Sequence, residues 1–327
     1  MVMAKEETIY RGVLARAWRL AWANKPLWIL GFLAIFWGNL GAYNVLDRSF
    51  GFPSLSSYPD KPGLVASVVD KATPASIVVG ILITLLVLGI IAGLVALVTI
   101  ARGGLIDAVA RRDASKTPAI KDSLVLAKKS FWSLLGIALI SRLDVPLSLF
   151  VLVPFARRAA LSGQEHFTIF LVMFIVVTLL SLTFSFLGIY ASAYVMLKGE
   201  GFVPAIRKSL SLFARFWLIS IEMALILYAV TLVVGIGLIV AGFVIGIPLM
   251  LMYFIFLFMH VPGAMLIVGI PATTLYVVLL LCVGSAFATF HMAAWTILFK
   301  RLSEEGAVAK VVRLTARFGH IFHRKLI

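Results

Sequence analysis

Long apolar runs constrain the fold of this chain more than any other feature. Six regions are each long and apolar enough to cross the hydrocarbon core of a bilayer, which takes about 20 residues of helix. Backbone polar groups cannot bond to water inside hydrocarbon, so such runs favour helices, which satisfy those groups internally. The predicted spans lie near Pro26–Val45, Ser76–Ile100, Phe131–Phe155, His166–Leu197, Phe216–Phe243 and Ala272–Phe299.

The composition indicates an integral membrane protein. Of the 327 residues, 62% are hydrophobic and 13% are charged, whereas about 25% are charged in a soluble domain. The single cysteine, Cys282, excludes an internal disulfide framework and a cysteine-based metal cluster. We therefore predict an all-α integral membrane helical bundle of about six transmembrane helices, forming a single transmembrane domain over residues 1–327.

The placement of lysine and arginine predicts the orientation of the chain. The formal net charge is +15, and its basic residues lie in short segments between the apolar runs. Such segments are typical of the cytoplasmic side of a membrane, so we expect a membrane surface as the partner and no nucleic acid. The four basic segments are the N-terminal segment, the segments after the second and fourth spans, and the tail. With six spans they all share one side, which predicts a multi-pass protein of the cell membrane with cytoplasmic N- and C-termini.

One apolar segment leaves the number of spans open. Val244–Met259 is followed by a region rich in glycine and proline. We favour a re-entrant segment, an interfacial segment or an outer extension of a hairpin. If residues 244–271 crossed the membrane instead, the chain would have eight spans.

A short basic block occurs twice in the chain. Pro118–Leu124 (PAIKDSL) precedes Phe131-Trp132, and Pro204–Leu210 (PAIRKSL) precedes Phe216-Trp217. Self-similarity in a fixed order indicates one structural unit used more than once. We predict three repeated hairpins, over residues 8–116, 117–201 and 202–303, followed by a basic amphipathic cytoplasmic tail over 304–327.

Each copy of the block predicts an amphipathic helix on the cytoplasmic surface. In the first copy Ile120, Leu124, Ala127 and Phe131 share a face, and in the second copy Ile206, Leu210 and Phe213 do. Such helices lie in the headgroup plane, so we expect their cations to bind the anionic headgroups of membrane lipids. The predicted headgroup-binding residues are Lys121, Lys128, Lys129, Arg207, Lys208 and Arg215.

Four ionisable residues within the spans form a candidate intramembrane polar site. They are Arg142, Asp144, Glu222 and His291, and charged groups inside hydrocarbon are expected to be paired or functional. If the third span is regular, Arg142 lies near the middle of the membrane. If Pro146 breaks that span, Arg142 and Asp144 meet water or headgroups instead.

Glu222 has two alternative partners in the sequence. It lies five residues past Trp217, near the inner interface, where a neighbouring cation such as Arg102 could pair with it. A pair with His291 at a comparable depth would suit proton or cation coupling.

The sequence contains no signature of a soluble enzyme. HExxH, a Walker loop and a paired His and Asp run are all missing. Gly103-Gly104 lacks the Lys-Ser/Thr of a phosphate loop, and we interpret it as a bend where the second span leaves the membrane. The sequence therefore predicts no catalytic residue, no metal and no cofactor.

Three short motifs carry a resemblance to a known family. Asn24–Gly31 (NKPLWILG), Ala101–Ile106 (ARGGLI) and Phe131-Trp132 after a basic amphipathic segment occur in this order. The chain resembles prokaryotic six-span membrane proteins related to the membrane domain of glycerophosphodiester phosphodiesterase. The resemblance implies a helical membrane unit that handles lipids or other membrane-resident molecules, without the soluble phosphodiesterase domain.

These observations leave three functions to compare. We favour a non-enzymatic integral membrane protein that binds or transports lipids or small membrane-resident molecules. The alternative is a structural membrane scaffold that docks a cytoplasmic protein partner, and either protein could form homo-oligomers. An intramembrane enzyme would have to use Glu222 and His291 as its acid and base.

Overall fold

The structure, a computed structural model, describes residues 9–35, 74–115, 119–162, 164–261 and 263–304. Within these ranges the chain is helical apart from short connections. The helices are α1 (Ile9–Ala23), α2 (Leu27–Ile35), α3 (Pro74–Asp113), α4 (Ile120–Lys129), α5 (Phe131–Ile140), α6 (Asp144–Ser162), α7 (Gln164–Lys198), α8 (Phe202–Phe258) and α9 (Ala264–Glu304).

Four helices are long and apolar enough to cross a membrane. They are α3, α7, α8 and α9, and the bent pair of α4 and α5 brings the number to five if it forms one broken span. The predicted all-helical fold with long apolar helices is confirmed. The count of six stays a prediction, because the first predicted span continues past α2 into residues outside the described ranges.

The third predicted span is not one regular helix. The turn Ser141–Leu143 separates α5 from α6, and the amide of Arg142 bonds to the carbonyl of Leu139 at 3.0 Å. The break comes before Pro146, which lies inside the first turn of α6. Upstream, α4 and α5 meet at an angle of 73°.

The segment Val244–Met259 extends a hairpin. Helix α8 continues through Pro248 to Phe258, so its 57 residues have a length of roughly 85 Å. Its backbone leaves helical geometry at Phe216, where φ is −124° and ψ is 29°. This kink separates the basic amphipathic segment of the helix from its apolar part.

The long helices are buried at one end and exposed at the other. Their buried ends carry every lysine and arginine of these four helices and lie against α1, α2, α4 and α5. We call this region the basic end, comprising 98–113 of α3, 185–198 of α7, 202–227 of α8 and 285–304 of α9. The opposite apolar end, 77–94, 167–180, 228–258 and 266–281, exposes most of its large apolar side chains. An apolar exposed surface of this size suits lipid as its solvent.

The core of the basic end is aromatic. Phe186 and Tyr190 of α7 are fully buried, and the ring centroid of Phe186 lies 5.0 Å from that of Phe213 and 5.7 Å from that of Trp295. The hydroxyls of Tyr190 and Ser220 are hydrogen-bonded at 2.7 Å. These contacts join α7, α8 and α9.

The glycine pair in α3 permits close helix contact. Helix α3 runs unbroken through Gly103-Gly104, so the predicted bend at this point is wrong. A Cβ atom on Gly103 would lie 2.6 Å from Leu134 Cδ1, and one on Gly104 would lie 2.9 Å from Leu124 Cδ2. Because the side chain of glycine is a single hydrogen atom, α4 and α5 can approach α3 closely at these two positions.

An ion-pair network connects three helices at the basic end. Asp113 Oδ2 accepts a hydrogen bond from Lys300 Nζ at 3.0 Å, and Asp113 Oδ1 lies 3.5 Å from Arg16 Nη1. The carboxylate of Asp113 is buried, whereas the Arg16 side chain is mostly exposed. The last turn of α3 is thereby held against α1 and α9.

Candidate functional site

A groove opens between α2, α3 and α4 at the basic end. It has a volume of about 380 Å³, within the range of small-molecule sites. Its walls are apolar, and Lys121 and Lys128 are the charged residues that line it. We call it the lysine groove; it is lined by Pro26, Ile29, Leu30, Leu33, Leu97, Ile100, Ala101, Ile120, Lys121, Leu124, Val125 and Lys128.

The two lysines share one face of α4. They are about two turns apart, so their Cα atoms are separated by roughly 10 Å along the axis. Both side chains are exposed, and long lysine stems cover apolar surface while their ammonium groups stay in a polar environment. An anionic group at the mouth of the groove is therefore within reach of both ammonium groups.

The position of the groove along α3 relates it to the bilayer. Residues 77–101 carry no charged side chain, and they extend for roughly 37 Å, enough to cross the hydrocarbon core of about 30 Å. Leu97, Ile100 and Ala101 lie at the end of this stretch. The groove thus opens where a hydrocarbon core spanned by α3 would meet the headgroups.

The other predicted headgroup-binding residues are exposed but lie outside the groove. Lys129 is on another face of α4, and Arg207, Lys208 and Arg215 are on the first part of α8. Lys208 pairs with Glu200, and the guanidinium of Arg215 lies 5.2 Å from the centre of the Phe216 ring. Sequence reasoning grouped the six cations by charge, whereas the structure places two of them beside an apolar cleft.

The surface helices differ in how well their buried faces were predicted. In α4, Ala127 is buried as predicted. In α8 the buried positions are Ala205, Ser209 and Leu212, while Leu210 is half exposed. The most buried face of α8 is therefore rotated by one residue from the predicted one, whose Ile206 and Phe213 are partly buried against the core.

The structure places Glu222 beside a tyrosine from the first helix. The hydroxyl of Tyr10 donates a hydrogen bond to Glu222 Oε2. Arg102, the partner suggested by the sequence, makes no ion pair with Glu222. Glu222 therefore connects α8 to α1.

Arg142 and His291 lie around Arg102. Arg142 is half buried in the turn after α5, and the charges of Arg142 and Arg102 interact. The imidazole of His291 is fully buried in α9 and lies within Coulombic range of Arg102. The side chain of Asp144, the first residue of α6, lies outside the described residues.

The burial of Arg102 is what sequence reasoning missed. The sequence suggested Arg102 as a cation near the inner interface that could pair with Glu222, yet it is buried while most of the other described cations are exposed. The signal in the sequence is its position, directly after the uncharged run 77–101 and before Gly103-Gly104.

A metal site is not formed by the part of the chain that the structure describes. There, no three His, Cys, Asp or Glu side chains are grouped so that they could hold a metal ion. The charged groups at the basic end are mainly cationic and are suited to anions.

The described fold is all-helical, and its long apolar helices suit a multi-pass membrane protein. No family model matches the chain, and neither the curated proteins nor the solved structures contain a significant match.

Proposed function

We propose that this chain is a non-enzymatic multi-pass membrane protein that binds an anionic lipid in the lysine groove. The observation that carries the proposal is the pairing of apolar walls from three helices with two lysines at the rim. A ligand that fits this pattern has an anionic head and an apolar body. Membrane lipids with phosphate headgroups have this chemistry.

The surface beyond the groove supports an occupant with acyl chains. Leu94 and Leu97 of α3 expose about half of their side chains, and Ile29 of α2 exposes 67%. An acyl chain that leaves the groove along α3 would stay in contact with apolar surface. The headgroup would remain at the lysines, in the plane of the amphipathic helix α4.

The architecture that we propose for this function has six spans. Three hairpins, each preceded by a basic amphipathic helix, would place all basic segments and both termini on the cytoplasmic side. Three described breaks are compatible with this arrangement, namely those between α1 and α2, between α4 and α5, and at Phe216 within α8. The relation to the membrane domain of glycerophosphodiester phosphodiesterase belongs to the same proposal.

Retention of lipid in the gas phase tests the proposal. The protein would be purified from membranes containing phosphatidylglycerol and phosphatidylcholine, released from gentle detergent and weighed by native mass spectrometry. We expect wild type to retain phosphatidylglycerol, and Lys121→Gln/Lys128→Gln to bind it about 30-fold more weakly, because each lysine contributes about 1 kcal/mol.

A matched control separates the groove from general surface charge. Lys129→Gln removes a cation from the same helix without touching the groove, so this variant should keep the wild-type adduct. If all three proteins carry the same lipid distribution, the groove is not a lipid site. The basic helices would then act as a scaffold surface for a cytoplasmic partner.

A further inference from the structure

Arg102 carries a buried charge, and no counter-charge forms an ion pair with it among the described residues. Its residue is 6% exposed, and its Nε atom is buried without a hydrogen-bond partner in the described chain. The ion pairs found among the described residues involve other cations. A guanidinium buried in this way is costly unless something compensates its charge.

The surroundings of Arg102 add positive charge and a further hydrogen-bond donor. The charge of Arg142 acts on Arg102. The indole of Trp295 is 2% exposed, and its Nε1–H lacks an acceptor among the described residues. The hydroxyl of Thr296 already donates to the carbonyl of Met292 at 2.8 Å. The site therefore requires an acceptor, and its charge favours an anion.

These groups line one small cavity. Arg102 and Ile106 of α3, Ile189 and Ala193 of α7, and Met292, Trp295 and Thr296 of α9 surround it. The space open to the centre of a water molecule is about 10 Å³, which is about enough for a single water-sized particle.

We propose that this cavity binds one monoatomic anion of halide size, held by Arg102 Nε–H and Trp295 Nε1–H. Such an ion would neutralise charge and supply the acceptor that both donors lack. It would also connect α3, α7 and α9, because each of these helices contributes to the wall. The cavity shares no residue with the lysine groove, so either site can fail without the other.

Halide-dependent stability tests the proposal on the whole protein. Wild type in detergent would be unfolded thermally in sodium chloride, sodium bromide and sodium gluconate at equal ionic strength. A ligand that binds only the folded state raises the unfolding temperature as its concentration rises. We expect chloride and bromide to raise the unfolding temperature and gluconate to leave it unchanged. We also expect the same protein to broaden the NMR resonance of chloride.

Two substitutions assign the effect to this cavity. Arg102→Met removes the charge at similar volume and should abolish both the halide dependence and the line broadening. Trp295→Phe keeps an aromatic ring but removes the donor, so halide should bind about tenfold more weakly. Arg19→Gln, which alters an exposed arginine of α1, should behave like wild type.

The wild-type measurements suffice if a cavity variant does not fold. Equal unfolding temperatures in chloride and gluconate, together with unbroadened chloride resonances, would overturn the proposal and leave water as the occupant. A halide effect that persists unchanged in folded Arg102→Met would overturn it as well.

Discussion

At the scale of single residues, the basic end is held by polar contacts between distant parts of the chain. Tyr10 and Glu222 are 212 residues apart in sequence, and Tyr190 and Ser220 are 30 apart. Tyr190 and Ser220 are fully buried, and a buried polar group that loses its partner keeps its desolvation cost. Such pairs therefore constrain which helices can meet.

The Tyr10 hydroxyl should contribute to stability through Glu222. We expect Tyr10→Phe to lower the free energy of unfolding by about 1–3 kcal/mol, because the half-buried carboxylate of Glu222 loses a donor. Thermal unfolding in detergent measures this change. Tyr253→Phe, a ring on the apolar part of α8, is the control. Equal losses in the two variants would show that the hydrogen bond is not what stabilises the basic end.

At the scale of helices, close backbone approach decides which surfaces pack. Gly31 of α2 faces α9, and a Cβ atom there would lie 2.5 Å from the carbonyl oxygen of Ser285. The steps Gly89/Gly93 and Gly242/Gly246 also have the spacing that permits close contact between membrane helices. Of these, Gly242 lies near Tyr276, and the other three have no described atom within 4 Å of a built Cβ.

Gly31 should therefore be far more sensitive to substitution than Gly89. We expect Gly31→Ala to lower the free energy of unfolding by about 1–3 kcal/mol, since the methyl group would force α2 away from α9. Gly89→Ala should leave stability unchanged or slightly higher, because alanine favours helix and meets no neighbour. Parallel thermal melts compare the two, and a tolerated alanine at position 31 would show that α2 packs elsewhere.

At the scale of the whole molecule, charge and burial are segregated to the same end. The buried core, the lysine groove and the Arg102 cavity all lie at the basic end, whereas the apolar end offers exposed helices. A bilayer is a suitable solvent for the apolar end. The positive-inside rule predicts that the basic end faces the cytoplasm.

Labelling with a membrane-impermeant maleimide tests this orientation. In a Cys282→Ser background, Val261→Cys marks the turn between α8 and α9, and Lys129→Cys marks the basic end. In intact cells we expect label at position 261 only, and label at position 129 after permeabilisation. Label at position 129 in intact cells would reverse the assignment.

The sequence predicted the helices better than their contacts. Residues 77–101 and 167–197 carry no charged side chain, and apolar runs of this length favour helix whatever they pack against. A break of the third span at Pro146 was one of two predicted alternatives, and the turn Ser141–Leu143 breaks the span just before that residue. The rotation of the buried face of α8 was not predicted, because Leu210 is as apolar as Leu212 and only their neighbours distinguish them.

The candidate sites were also predicted only in part. Charge alone indicated that Lys121 and Lys128 lie at a lipid surface, but it could not separate them from Lys129. That distinction depends on α2 and α3, whose residues form the walls of the groove. The burial of Arg102 could not be predicted, because it depends on residues of α7 and α9.

The sequence by itself determined that this protein is helical, apolar and basic at one end. The length of each apolar run and the need to satisfy its backbone hydrogen bonds depend on local composition alone. Only the tertiary structure decided which charges are buried, which glycines touch another backbone and which lysines border a groove. These properties arise where residues distant in sequence meet, and side-chain burial there depends on the relative positions of whole helices.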